Sequence, residues 1–161
     1  MDMNSAGEWT YPIGVIMSEL IYLDYNCFQR SFDDQGQARI RIETVACEDI
    51  FGKAEQGKIR LVWSFIHEDE NSVCPFLDRK AEILKLSEIC SVEVAPDDTI
   101  RAAALSIQKK CGVGAKDALH LACGIHVHVR KFLTCDDDVK RKTGGRVDDM
   151  LVMSPTEFVM E

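Results

Sequence analysis

Leu20-Ile21-Tyr22-Leu23-Asp24 reads as a short strand that closes on an acid, and the rest of the chain can be laid out from it. Downstream, Ala38, Ile42, Val45, Ala46 and Ile50 recur at helical spacing until Gly57 supplies a stop. Ile59 to Trp63 is a second strand, and Ser64 can cap a short helix bearing Glu68, Asp69 and Glu70. Pro75 opens another helix, with Phe76, Ala81, Ile83, Leu84 and Leu86 for packing. Val92 to Ala95 is a third strand. Pro96-Asp97-Asp98-Thr99 then starts a helix striped by Ile100, Ala103, Ala104, Ile107 and Cys111 and ended by Gly112. Asp117 to Val129 is apolar nearly all round, as a buried helix is. Lys131 to Thr134 is a fourth strand, a polar segment runs to Gly145, and Met150 to Met153 is a fifth. Strands alternating with helices imply right-handed crossovers and a mostly parallel sheet covered on both faces. The expectation is a three-layer α/β/α domain with a central sheet of four to five strands. It spans residues 17–161, with residues 1–16 as an N-terminal tail lacking any clear period.

Composition sets outer bounds. The 161 residues suit one compact domain, and 46% apolar with 29% charged residues is ordinary for a globular chain. No apolar run approaches the roughly 18 residues needed to cross a bilayer, and the N-terminus lacks the basic leader and apolar stretch of a secretory signal. Seven cysteines, an odd number with no Cys-x-x-Cys pair, favour free thiols in a reducing cytoplasm. The formal charge of -8 argues against a broad basic grip on nucleic acid. It is neutral toward an enzyme that gathers carboxylates around a cation, because the bound ion reverses the local sign.

Four of those carboxylates fall at one edge of the expected sheet. In open α/β sheets ligands collect beyond the carboxyl ends of the strands. Asp24 closes the first strand, Asp136 follows the fourth, and Glu70 lies on the short helix leaving the second. Asp117 opens the buried helix, at the positive end of its dipole. Carboxylates that converge cannot all ionise unless one takes a proton or a cation enters. An oxygen-only set selects a hard ion, Mg²⁺ or Mn²⁺, over zinc. Asn26 and Thr134 add neutral polar atoms at the same edge.

From about Met17 to Phe158 the chain resembles the PIN-domain family, which includes VapC-type toxin ribonucleases. The resemblance rests on four motifs in order: Ile21-Tyr22-Leu23-Asp24-Tyr25-Asn26-Cys27-Phe28-Gln29-Arg30, Ser64-Phe65-Ile66-His67-Glu68-Asp69-Glu70, Asp117-Ala118-Leu119-His120-Leu121-Ala122 and Thr134-Cys135-Asp136. It implies that Asp24, Glu70, Asp117 and Asp136 bind one or two divalent metals and that the domain cleaves single-stranded or loop RNA. It also implies a small antitoxin protein as partner and a homodimer. The tail before Met17 has no counterpart, and Glu68 and the run Asp136-Asp137-Asp138 offer neighbouring acids for two of the positions.

Plainer readings stand beside these. Asp24 alone would be a turn residue and Asp117 alone a helix cap; all four acids at one edge reverse that judgement. Glu68 reads as a solvated helix residue. Arg30 either guides a phosphate or pairs with Asp33 or Asp34. His120, Cys123, His126 and His128 lack a tetrahedral ligand set, which makes His120 a buried, hydrogen-bonded histidine rather than a zinc ligand. Cys27, Cys47, Cys90 and Cys111 read as small core hydrophobes, and Cys135 as a thiol beside the metal edge. Two rivals remain. A receiver-like or phosphatase-like domain needs an acidic pair after the first strand, where this chain has Tyr25 and Asn26. A non-catalytic PIN-like binding module would suit the net charge.

Overall fold

The computed structural model describes residues 2–3, 5–7, 9–10 and 18–161. The expected domain start at Met17 and most of the expected tail lie outside the described residues. Within that tail β1 (Asp2–Met3) pairs antiparallel with β2 (Trp9–Thr10).

A six-stranded sheet organises the remainder, with β3 (Glu19–Leu23) near its middle. Chain order then runs through α1 (Tyr25–Gln29), a 3-10 turn (Arg30–Phe32), α2 (Ala38–Glu55), β4 (Ile59–Ser64), α3 (Phe65–Ser72) and α4 (Leu77–Ser87). After these come β5 (Val92–Val94), α5 (Asp98–Cys111), α6 (Ala115–His126), β6 (Lys131–Leu133), α7 (Asp137–Thr143), β7 (Arg146–Val147), β8 (Met150–Met153) and α8 (Pro155–Val159). The strand order is β5-β4-β3-β6-β8-β7, parallel throughout except for β7 on the edge. The chain steps from β3 outward to β4 and β5, then returns to the other side of β3 for β6. The order therefore reverses between β3 and β6, and a crevice opens there at the carboxyl ends of the strands.

Strand alternation divides the core between the two faces. Tyr22, Val62, Phe132 and Val152 pack with Ile100, Ala104 and Ile107 of α5 and with Ala118, Leu121, Ala122 and Cys123 of α6. On the other face Ile21, Leu23, Leu61, Trp63, Leu133 and Met153 meet Cys27 and Phe28 of α1, Cys47 and Ile50 of α2 and Ile83 of α4. The three-layer α/β/α expectation holds, with six strands rather than four to five. Gly124 lets α6 lie close to β8, since a Cβ there would stand 2.9 Å from the Met150 sulfur.

Local readings fared unevenly. Ser64 caps α3, Asp97 caps α5, and left-handed Gly112 ends α5. Two helix faces were misread. Ile42 and Val45 of α2 are 56% and 65% exposed, because the buried side keeps the expected Ala46 and Ile50 but is completed by Ile40, Glu43, Thr44 and Cys47. Glu43 can be buried because Arg30 and Arg39 both pair with it. Phe76, Ala81 and Leu84 are likewise exposed, leaving Ile83 as the buried anchor of α4. The polar stretch before Gly145 is a helix, α7, started by Asp136 accepting from the Asp138 N–H and closed by left-handed Gly144. No helix among the described residues is long and apolar enough to cross a membrane.

Candidate functional site

All four acids expected from the sequence reach the crevice between β3 and β6. Asp24, the residue after β3, is 5% exposed, and its backbone N–H donates to the Leu133 carbonyl of β6 at 2.8 Å. One carboxylate oxygen, Oδ2, accepts from the Thr134 hydroxyl at 2.8 Å and from Asn26 Nδ2 at 3.2 Å. Asn26 also donates to Thr134 Oγ1 at 3.1 Å, and that same oxygen accepts the Asp136 N–H at 3.1 Å. A neutral amide and a hydroxyl thereby lock the ends of β3 and β6 together and leave Asp24 Oδ1 facing the crevice. It lies 3.9 Å from His120 Nε2.

Glu70, near the end of α3, is held from the opposite side. Its Oε1 accepts from His120 Nε2 at 2.6 Å, so the other oxygen carries no such constraint. Glu68, its rival in the sequence, is exposed and accepts from Trp63 Nε1 at 2.9 Å instead. His120 completes a buried chain. Its Nδ1 stands 2.7 Å from the Tyr22 hydroxyl, which is 2.8 Å from Ser64 Oγ. Burial pushes the Tyr22 phenol well up, so it keeps its proton. With Nε2–H donated to the carboxylate, Nδ1 accepts from Tyr22 and Tyr22 accepts from Ser64. Below this chain His67 is fully buried and driven far down its scale by desolvation first and by His120 second. Its neutral ring donates Nε2–H to the Leu23 carbonyl at 2.7 Å and accepts the Ser64 N–H at Nδ1 at 2.9 Å. Every polar atom of this inner layer has a partner, so the ring and carboxylate orientations are fixed.

Asp117 sits in the first turn of α6, whose N-cap is Gly114, so it lies inside the helix rather than at its cap. Its carboxyl is pushed up to about 6, by burial first and then by the charges of Asp24 and Asp136, with Glu70 adding to the rise and His120 opposing it. Asp24 is raised as well: desolvation dominates, His120 and the Thr134 hydrogen bond pull the other way, and Glu70 adds to it. Asp117 thus feels all three of the other acids. Asp136 spends one oxygen on the cap of α7. The arrangement is an oxygen-lined notch with like charges facing one another, and it favours entry of a proton or a hard cation.

Of the other sequence-level candidates, Arg30 pairs with Asp33 at 3.1 Å and also with Glu43 at 3.0 Å. Asp137 leaves the notch to pair with Arg39. His120 is a satisfied buried histidine, as expected, but the sequence reading missed that it holds Glu70. A signal was available: one turn after Asp117, it shares that residue's helix face.

Cys27 and Cys47 are buried core thiols, as expected, packed with Phe28 and Ile50. With Cys135 they bring three sulfur atoms within 4.8 Å of one another, and Cys27 Sγ lies 4.0 Å from Cys135 Sγ. Asn26 joins this cluster to the notch. Its amide nitrogen serves Asp24 and Thr134, while its Oδ1 accepts from the Cys135 N–H at 3.1 Å and from the Cys27 thiol at 3.5 Å.

The crystal structure of FitAcB from Neisseria gonorrhoeae superposes with a TM-score of 0.55 over 84% of this chain and 97% of that one, at 16% identity, which speaks to the fold alone. No curated protein matches the sequence. Residues 62–145 match the PIN domain family and take in the end of β4 and all of α3, α6 and β6, with Glu70, Asp117 and Asp136 among them. With more than half of its length in that match, the chain belongs to the PIN domain family.

Proposed function

We propose that the protein is a metal-dependent endoribonuclease, with Asp24, Glu70, Asp117 and Asp136 holding Mg²⁺ or Mn²⁺ directly or through water. The observation that carries this reading is the state of Asp117, whose carboxyl is raised to about 6 by burial and by facing acids. The donors suit such an ion in kind, but among the described residues the four acids do not close into a ready ligand set as the three cysteines do, so the ion itself would draw them together. The set is all oxygen; Asp24 and Glu70 are each fixed through one oxygen, and mutual repulsion is relieved when a cation enters. When bound, the ion supplies positive charge at the phosphate and activates a water.

The chain's own residues do the rest. Thr134 and Asn26 keep Asp24 from turning, and the Ser64–Tyr22–His120 chain keeps Glu70 aimed inward. The substrate on this reading is single-stranded or loop RNA. A chain of net charge -8 has no long basic track for a stiff duplex, whereas a flexible strand can bring one phosphate into a narrow notch. A cleft of about 460 Å³ lined by Asn26, Gln37, Arg30, Arg39 and Asp136 runs up to that notch. A small antitoxin protein covering the notch and a homodimer complete the assignment. The deciding experiment compares one RNA, alone and annealed to its complement, with Mg²⁺ and then with a chelator. Faster cutting of the duplex, or cutting that survives chelation, overturns the reading.

A further inference from the structure

We propose that Cys27, Cys47 and Cys135 form a second metal site, for a thiophilic d¹⁰ cation, Zn²⁺ or Cu(I), which clamps α1, α2 and the β6–α7 connection behind the acidic notch. Three buried thiols from three separate elements converge with all sulfurs within 4.8 Å. Sulfurs around one ion at the usual Zn–S length of about 2.3 Å stand about 3.8–4.0 Å apart. The Cys27–Cys135 pair is already at 4.0 Å, and the third sulfur needs less than about 1 Å of rotation.

The donor set is as soft as the notch is hard. Among the described residues no carboxylate or imidazole joins the three sulfurs, which selects against Mg²⁺ and for zinc or cuprous ion. Glu43 pairs with Arg30 and Arg39 and also interacts with the Cys135 thiol, which puts it beside the three sulfurs rather than among them. A cavity of about 380 Å³ reaches Cys27 and Cys47 beside Thr44 and Phe51, giving the ion a way in and a fourth, water position if it is zinc. Binding displaces the thiol protons to solvent. Around Cys47 the Arg30 guanidinium favours the thiolate and the Glu43 carboxylate opposes it, so the bound ion itself supplies the balancing charge. The position gives the site a consequence. Cys135 precedes Asp136, and Asn26 bonds both the cluster and Asp24, so an ion there fixes the scaffold of the notch from behind.

The test uses the full chain, reduced and freed of metal, titrated with Zn²⁺ and, under nitrogen, with Cu(I). Co²⁺ serves as the reporter of thiolate ligation, and excess Mg²⁺ is present throughout. A single equivalent of Zn²⁺ or Cu(I) should stay with the protein through gel filtration. It should protect Cys27, Cys47 and Cys135 from alkylation, as mapped by mass spectrometry, and raise the melting temperature. The ion giving the larger shift is the preferred one. Co²⁺ should give a sulfur-to-metal charge-transfer band. Cys47→Ser and, separately, Cys135→Ala should lose the equivalent and the band, and Cys90→Ser should keep both. Retention of the equivalent by Cys47→Ser, unprotected cluster thiols in the loaded wild type, or a Cys27–Cys135 disulfide that takes no metal overturns the proposal. None of these readouts involves RNA or Mg²⁺, so the result stands apart from that of the nuclease assay.

Discussion

Two polar clusters lie back to back at the carboxyl ends of β3 and β6, and they are built by opposite rules. The notch gathers Asp24, held by Thr134 and Asn26, and Glu70, held by His120, with Asp117 and Asp136 facing them at electrostatic range. The thiol cluster gathers Cys27, Cys47 and Cys135 on the other face of the sheet among Phe28, Ile50 and Leu133. The chain passes from one to the other in a single step twice, at Asn26-Cys27 and at Cys135-Asp136. Asn26 and Cys27 are neighbours on α1, where successive side chains turn by about 100°, and Cys135 and Asp136 lie in the β6–α7 connection, so a single step of sequence separates two chemically distinct clusters. What separates them is hardness: oxygen donors on one side, sulfur donors on the other.

The sharpest way to break the comparison is to neutralise the notch while leaving the cluster intact. Asp24→Asn should lower RNA cleavage by more than the roughly 100-fold that loss of a supporting partner causes. The fold should persist, because burial already opposes the ionised carboxyl. Equal cleavage by wild type and variant would remove Asp24 from the mechanism.

Thr134→Val reaches the joint itself. It takes away the hydroxyl that donates to Asp24 and accepts from Asn26 and the Asp136 N–H. Activity should fall by about 10–100-fold, and unfolding free energy by about 1–3 kcal/mol because buried partners are left unpaired. Denaturant titration together with single-turnover cleavage checks both. Full activity in a destabilised protein would mean that the joint supports the fold but not the site.

Much of the notch was legible because strand-end acids are placed by periodicity alone. Asp24 and Asp136 follow apolar runs, Glu70 follows a serine cap, and Asp117 begins an apolar helix. The thiol cluster was not legible, since Cys27, Cys47 and Cys135 come from three elements and each resembles a small core hydrophobe until the sheet folds. The errors on α2 and α4 have a related cause. Ile42, Val45, Phe76 and Leu84 have helical spacing, but which face is buried was settled elsewhere, by the Arg30–Glu43–Arg39 bridge and by Ile83. Periodicity identifies a helix more readily than it identifies the side that tertiary contacts will cover.

A smaller effect tests the charge of the notch without RNA. The folded state raises Asp117 to about 6, so between about pH 4 and pH 6 it binds more protons than the unfolded chain. Stability from this group is therefore present at low pH and is lost as pH rises through that window. For a sealed group the shift would be worth about 3 kcal/mol. Asp117 is half-buried, and solvent screening reduces this to about 1 kcal/mol. Asp117→Asn should then raise the metal-free melting temperature at pH 7 by about 2–4 °C, with the gain vanishing below about pH 4. Mg²⁺ should stabilise the wild type more than this variant. A gain that is the same at every pH would trace to packing rather than charge.

The smallest expected effect comes from removing residues 1–16. Both clusters are built wholly from residues after Met17, and the described part of that segment pairs with itself, Asp2 with Thr10 and Met3 with Trp9. The edges of the main sheet are β5 and β7, and among the described residues neither takes a strand from it. An isolated two-stranded ribbon contributes little stability in water. Truncation should therefore leave the melting temperature within about 2 °C, equivalent to less than about 1 kcal/mol, with the Mg²⁺-induced shift and the reactivity of the buried thiols unchanged. Each readout reports on a different cluster. Loss of the Mg²⁺ shift alone would place the segment at the notch, and faster alkylation of Cys27 or Cys47 alone would place it over the sulfur side. A fall in melting temperature with both would make residues 1–16 part of the domain, and the boundary at residue 17 would have to move.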